Sequence, residues 1–139
     1  MAAKTITYKK LLNEISPCLK EVANISYPKG TPISHHISIA ENLELVAGKE
    51  KLFWDTRNKM LETFSEKDEK GEAKKIVNED TKETEYDISD ENRIAFSEKL
   101  DELNNEKVKI NFKTLDKKHF EGAEGLKPSL LFGLLSILK

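Results

Sequence analysis

A chain of 139 residues is the size of one domain and long enough to bury a core without disulfide or metal staples. Hydrophobic residues make up 37% and charged residues 35%, a balance too apolar for disorder and polar enough to suit elongated helices or an oligomer. The formal charge of −2 removes the generic electrostatic drive toward nucleic acid or an anionic membrane.

From Thr5 to Ile15, Tyr8, Leu11, Leu12 and Ile15 recur at helical spacing. Ser16-Pro17 reads as a cap followed by proline at the first position of a second short helix, which runs to about Val22 with Leu19 and Val22 inward. Tyr27 to Pro32 holds two prolines and a glycine and reads as a loop. Ser34 can cap the next helix, expected over about residues 35–66 and about 45 Å long. In it Ile39, Val46, Phe53 and Met60 repeat every seven residues, Leu43 and Phe64 fill the intermediate position, and Leu45, Leu52 and Leu61 widen the stripe. Glu50 and Arg57 interrupt that stripe, and Gly48 is either a close approach of a second helix or a weak point. Ser65 to Gly71 is a charged helix stop. Lys75–Val77 and Thr84–Ile88 are β-prone runs that suggest a small hairpin in need of something to pack on. Ser89-Asp90-Glu91 starts a helix to about Asn104, with Phe96, Leu100 and Leu103 on one face. Val108–Lys113 alternates as a half-buried strand whose apolar face is Val108, Ile110 and Phe112. Gly122 and Gly125 break the chain, and Pro128 opens a last helix, Ser129 to Leu138, apolar nearly all round and so expected to be buried on more than one side. The fold class is α+β and mainly helical: a long antiparallel helical hairpin, a small β element and a buried C-terminal helix. No linker splits the chain, which reads as a single domain over 1–139, with short helices and a loop over 1–33 and the remainder over 34–139.

Few residues point to chemistry. Arg57 and Arg93 are the only arginines, and a chain so poor in arginine is a weak candidate for planar phosphate recognition. Cys18 is alone, so neither an intrachain disulfide nor a multi-thiolate zinc site can form, and it reads as a packing residue in a helical stripe. His35 and His36 are adjacent, about 100° apart on a helix, so they do not make a metal pair; His119 reads as an isolated surface or loop histidine. Gly122–Gly125 lacks the lysine and hydroxyl of a phosphate loop. No signal-peptide core is visible, and the apolar run from Leu126 to Leu138 is too short to span a bilayer. No catalytic residue, cofactor or metal site is expected, and neither nucleic acid, a membrane nor a small molecule is an expected partner.

Two faces remain as candidates. The terminal helix offers Leu130, Leu131, Phe132, Leu134, Leu135 and Leu138, either as core or as a docking helix for another subunit. On the long helix Phe53 and Trp54 are adjacent and cannot share one narrow seam, and Arg57 lacks an acid three or four residues away. That makes Phe53, Trp54 and Arg57 a possible ligand or partner face.

The order of segments is familiar. Arg57-Asn-Lys-Met-Leu61 on a long helix is followed by Glu66-Lys-Asp-Glu-Lys-Gly71, by Tyr86-Asp-Ile-Ser-Asp-Glu-Asn92 and by Phe96-Ser-Glu-Lys-Leu-Asp-Glu-Leu103. A Val108-Lys-Ile110 strand and Glu124-Gly-Leu-Lys-Pro-Ser-Leu-Leu131 complete it. Over roughly residues 35–138 the pattern resembles a family of short uncharacterised proteins of tailed phages and prophages from low-GC hosts. The resemblance implies no activity, cofactor or site residue. It implies a place in the virion or the host cytoplasm. Together with the heptad stripe and the apolar terminus, it sets as first expectation a non-enzymatic, oligomeric structural, assembly or adaptor component acting by helix docking. The alternative is an early phage protein that binds a host protein or sequesters a host signalling nucleotide.

Overall fold

The fold was read from a computed structural model, which describes residues 2–139. It is mainly helical with small antiparallel strands. The chain divides into two compact units, one of residues 1–51 with 106–139 and one of residues 52–105.

In the first unit the alternating segment forms strand β4, Lys107–Phe112, with Ile110 and Phe112 buried and Val108 half-buried. Its partner is β1, Ala2–Thr7, antiparallel, with Ile6 opposite Val108 and Lys4 opposite Ile110. Thr5 to Thr7 therefore belong to a strand and not to the expected first helix. The cause is local: the β-branched Thr-Ile-Thr run favours extended backbone. Thr7 then caps the helix itself, its Oγ1 accepting from the Lys10 N–H at 3.2 Å.

The expected second helix is present as α2, with Pro17 in its first turn and Leu19 and Val22 buried, but Ser16 does not cap it. Helical backbone runs unbroken through α1 (Tyr8–Lys10), a π-helical turn (Leu11–Ile15) and α2 (Ser16–Asn24). Ser16 itself is helical, and its N–H reaches five residues back to the Leu11 carbonyl. A proline lacks the N–H and crowds the carbonyl four residues earlier. The widened turn just before Pro17 gives the ring room without ending the helix. The inward face of this run is Tyr8, Leu11, Ile15, Leu19 and Val22.

The long helix α3, Ile33–Phe64, carries the expected stripe, with Ile39, Val46 and Phe53 buried. Leu45 and Leu52 are exposed and do not widen it. The residue that joins Ile39 and Val46 inside is Asn42, fully buried. Its amide pairs with the backbone just beyond β4: Nδ2 donates to the Lys113 carbonyl at 2.9 Å and Oδ1 accepts from the Lys113 N–H at 2.7 Å. A buried amide satisfied in this way fixes α3 against the strand end, where an apolar residue would leave two backbone groups orphaned. Glu50 interrupts the stripe because it accepts from the buried Ser16 hydroxyl and lies 3.6 Å from Lys20 Nζ. Nothing lies within 4 Å of a Cβ built on Gly48, so no close helix approach explains that glycine.

In the second unit the end of α3 meets the hairpin of β2 (Lys75–Val77) and β3 (Thr84–Tyr86) and helix α4 (Asp90–Asn105). The Asn78 side chain organises the hairpin turn, its Oδ1 accepting from the Asp80 and Thr81 N–H groups. Ser89 caps α4 through the Asn92 N–H, and Asn92 Nδ2 in turn donates to the Phe64 carbonyl at the end of α3. Phe96 then meets Phe64, their ring centres 6.3 Å apart, so the start of α4 lies against the end of α3.

Candidate functional site

The C-terminus departs most from expectation. Helix α5 spans only Pro128–Gly133 and gives way to a 3-10 turn, Leu135–Ile137. The helix begins where proline's fixed φ suits the first position. It packs on α2 through Gly133, whose missing side chain leaves the space that the Cys18 thiol fills. Cys18 is thus a packing residue, and burial pushes its thiol pKa up. The last residues are pinned by Leu115, whose N–H donates to the Ile137 carbonyl and whose carbonyl accepts from Lys139 N–H.

This geometry splits the six apolar residues proposed as a docking face. Leu130 and Leu134 are buried together with Ile137 and belong to the core. Phe132 is 72% exposed and Leu135 is 55% exposed, so the helix is not buried all round. Leu131 and Leu138 are half-buried between them. Phe132, Leu135, Leu131 and Leu138 line one groove of about 270 Å³ with Pro128 and Lys117. No carboxylate lines it, and the lysine at its wall is backbone-bonded to Lys139. Covering Phe132 and Leu135 is worth about 2–4 kcal/mol in all. That is less than association costs, so a partner has to cover the whole groove to stay bound.

On the second face Phe53 is buried and is unavailable to a ligand, while Trp54 is exposed and meets Phe53 edge to face at 5.1 Å. The Arg57 guanidinium lies 5.6 Å from the Trp54 ring centre and 5.8 Å from that of Phe96. Its helix neighbours hold no acid, and the aromatic faces hold it instead.

The three histidines do not stay apart. His35 is buried against Tyr27 and Phe120, its ring centre 4.9 Å from each, and those two rings lie 6.1 Å apart. His119 is 5.3 Å from His35, and His36 is 5.9 Å from it. Neither ring nitrogen of His35 has a hydrogen-bond partner. Burial lowers its pKa below the ordinary imidazole value, the neighbouring His119 and His36 lower it further, and Asp116 opposes them. Burial also pushes the Tyr27 hydroxyl up to about 12, and that hydroxyl donates to the Val22 carbonyl. So His35 is a core residue and not a solvated one, and His119 is its neighbour. Among the described residues no three His, Cys, Asp or Glu side chains are placed to hold a metal ion, and no helix is long and apolar enough to cross a membrane.

No family model, curated protein or solved structure matches the chain.

Proposed function

We propose that the chain is a non-enzymatic, self-associating component of an assembly, a phage structural or adaptor protein in the sense of the resemblance above, and that the groove of Pro128, Leu131, Phe132, Leu135 and Leu138 receives a second copy of the same chain. The single observation that carries this reading is the exposure of Phe132 and Leu135 at one continuous apolar groove. Scattered apolar residues are normal on a surface, but a contiguous set is not. The element offered to the groove is α4. None of its residues is fully buried, Ile94 is 66% exposed, and Phe96, Leu100 and Leu103 are only half-covered. Its charges are Asp90, Glu91, Glu98, Asp101 and Glu102 against Arg93 and Lys99, an acidic helix for a groove walled by Lys117. A contact between two different surfaces of one chain is head-to-tail, and it builds rings or filaments. No chemical step is needed.

Light scattering across a range of protein concentrations tests the reading. The wild-type chain should associate, and Phe132→Ser with Leu135→Ser should leave a folded monomer, because both side chains already face water. Lys117→Glu should weaken association, most strongly at low salt. A wild-type chain that stays monomeric at high concentration, or association untouched by the double substitution, would sink the proposal.

A further inference from the structure

The second unit holds a cavity at the N-terminal end of the docking helix α4. The chain's two arginines, Arg57 on α3 and Arg93 on α4, line one cavity of about 420 Å³, with the Tyr86 ring and the apolar Leu61 and Ile88 in the same wall. Small-molecule sites occupy roughly 300–1,000 Å³. No lysine lines this cavity, although lysine is by far the commoner cation in the chain. Among the described residues no salt bridge involves either arginine, and Glu85 is the one acid that lines the cavity with them. Both are also held in place. Arg57 rests against Trp54 and Phe96, and Arg93 spends its Nε on the Ile88 carbonyl at 3.2 Å, which leaves its two terminal amines free to bind. Fixed planar forks are the form of cation suited to the oxygens of a phosphate.

The remaining wall narrows the ligand. Leu61, Ile88 and the Tyr86 ring suit a flat or apolar body. Glu85, also in the wall and tethered by Asn78 Nδ2 at 3.3 Å, is an acceptor that opposes a bare anion and suits a ligand that also carries donors. We infer that this cavity binds a phosphate monoester on an aromatic, hydroxylated body, a class that includes the nucleoside monophosphates.

Trp54 is the only tryptophan, half-exposed and in contact with Arg57, so its fluorescence reports on the cavity. Adenosine monophosphate should give a saturable change, inorganic phosphate a weaker one, and adenosine none. Arg93→Lys keeps the charge but removes the fork on an exposed residue, so it leaves the packing intact and should weaken binding about tenfold or more. Arg57→Lys, checked for folding by circular dichroism, should do the same. Absence of saturable binding overturns the inference. So does equal binding of adenosine, equal binding of a dicarboxylate such as succinate, or wild-type affinity in both lysine variants. All of these are read on the monomeric Phe132→Ser, Leu135→Ser chain as well, so failure of the docking proposal and failure of this one are separable.

Discussion

Alanine placed at Gly48 and at Gly133 should move stability in opposite directions. Both positions belong to the first compact unit, so one unfolding transition reports on both. At Gly48 a Cβ meets nothing within 4 Å, and the residue lies inside α3. Glycine in an exposed helix interior costs about 1 kcal/mol relative to alanine, so Gly48→Ala should stabilise by about that much. At Gly133 the same methyl would sit 2.3 Å from Cys18 Sγ and 3.3 Å from both Cys18 Cβ and the Glu14 carbonyl oxygen. Ordinary carbon contacts lie at about 3.5–4.0 Å, so the sulfur must move by more than about 1 Å. Rotation of the thiol relieves one clash, but the Cβ and the carbonyl are fixed to α2 and the π turn before it. Overpacking of this kind costs about 1–3 kcal/mol. In urea, with a slope of about 1–3 kcal/mol per molar, Gly48→Ala should raise the midpoint by roughly 0.3–1 M. Gly133→Ala should lower it by a comparable or larger amount. Cys18→Ala should restore much of the loss in the double variant. If both alanine variants shift the midpoint in the same direction, or if Cys18→Ala gives no relief, the packing argument is wrong.

His35→Phe should change how stability depends on pH. The folded-state pKa of His35 is depressed, so its contribution is present above the unfolded value near 6.5 and is lost as pH falls from there toward the folded value. His36, His119 and Asp116 face it and remain in the variant, so the difference between the two pH profiles isolates His35. Phenylalanine also removes two buried unpartnered nitrogens, so at pH 8 the variant should be more stable by about 1 kcal/mol. Parallel profiles between about pH 5 and 7 would refute this. Asn42→Ala should cost about 2–4 kcal/mol in urea unfolding, because it leaves the Lys113 N–H and carbonyl without their buried partner. Asn42→Asp should cost a similar amount, since a carboxylate can accept from the N–H but faces the carbonyl with a second oxygen. A loss below about 0.5 kcal/mol in both would show that water replaces the amide.

Periodicity made the elements legible where one face is buried and the other wet. The alternation from Val108 to Phe112 and the seven-residue spacing of Ile39, Val46 and Phe53 both reappear as buried faces. It misled where two patterns abut. The helical spacing starts at Tyr8 and does not extend over Thr5 to Thr7, where β-branched residues and a threonine cap mark the boundary. The heptad places Leu43 in the stripe while Asn42 is the buried residue, because a polar side chain in a stripe looks like solvent surface until its partner is known. That partner, Lys113, lies far along the chain, and no local pattern announces it. Ser16-Pro17 marks the start of α2 as its local signal predicts, but the π turn before it joins α2 to α1 without a break, which that signal does not show.

The sites were less legible than the fold because each depends on convergence. His119 reaches His35 through a 3-10 turn at Lys117–Phe120, and Arg93 reaches the cavity of Arg57 through α4. Composition even argued against an anion site: two arginines in the chain look like scarcity until both are found in one wall. The terminal helix misled in the opposite way. Its apolar residues surround the axis, which predicts burial on several sides only if the helix is long enough to have them. Gly133 ends α5 after six residues, so Leu130, Leu134 and Ile137 face in while Phe132 and Leu135 face out. Exposure alone would say little, since Trp54 and Ile94 are also exposed and single apolar residues need no explanation. Phe132 differs because Pro128, Leu131, Leu135 and Leu138 continue its surface into one groove that no carboxylate lines, and a continuous apolar surface of this kind calls for a reading that a scattered residue does not.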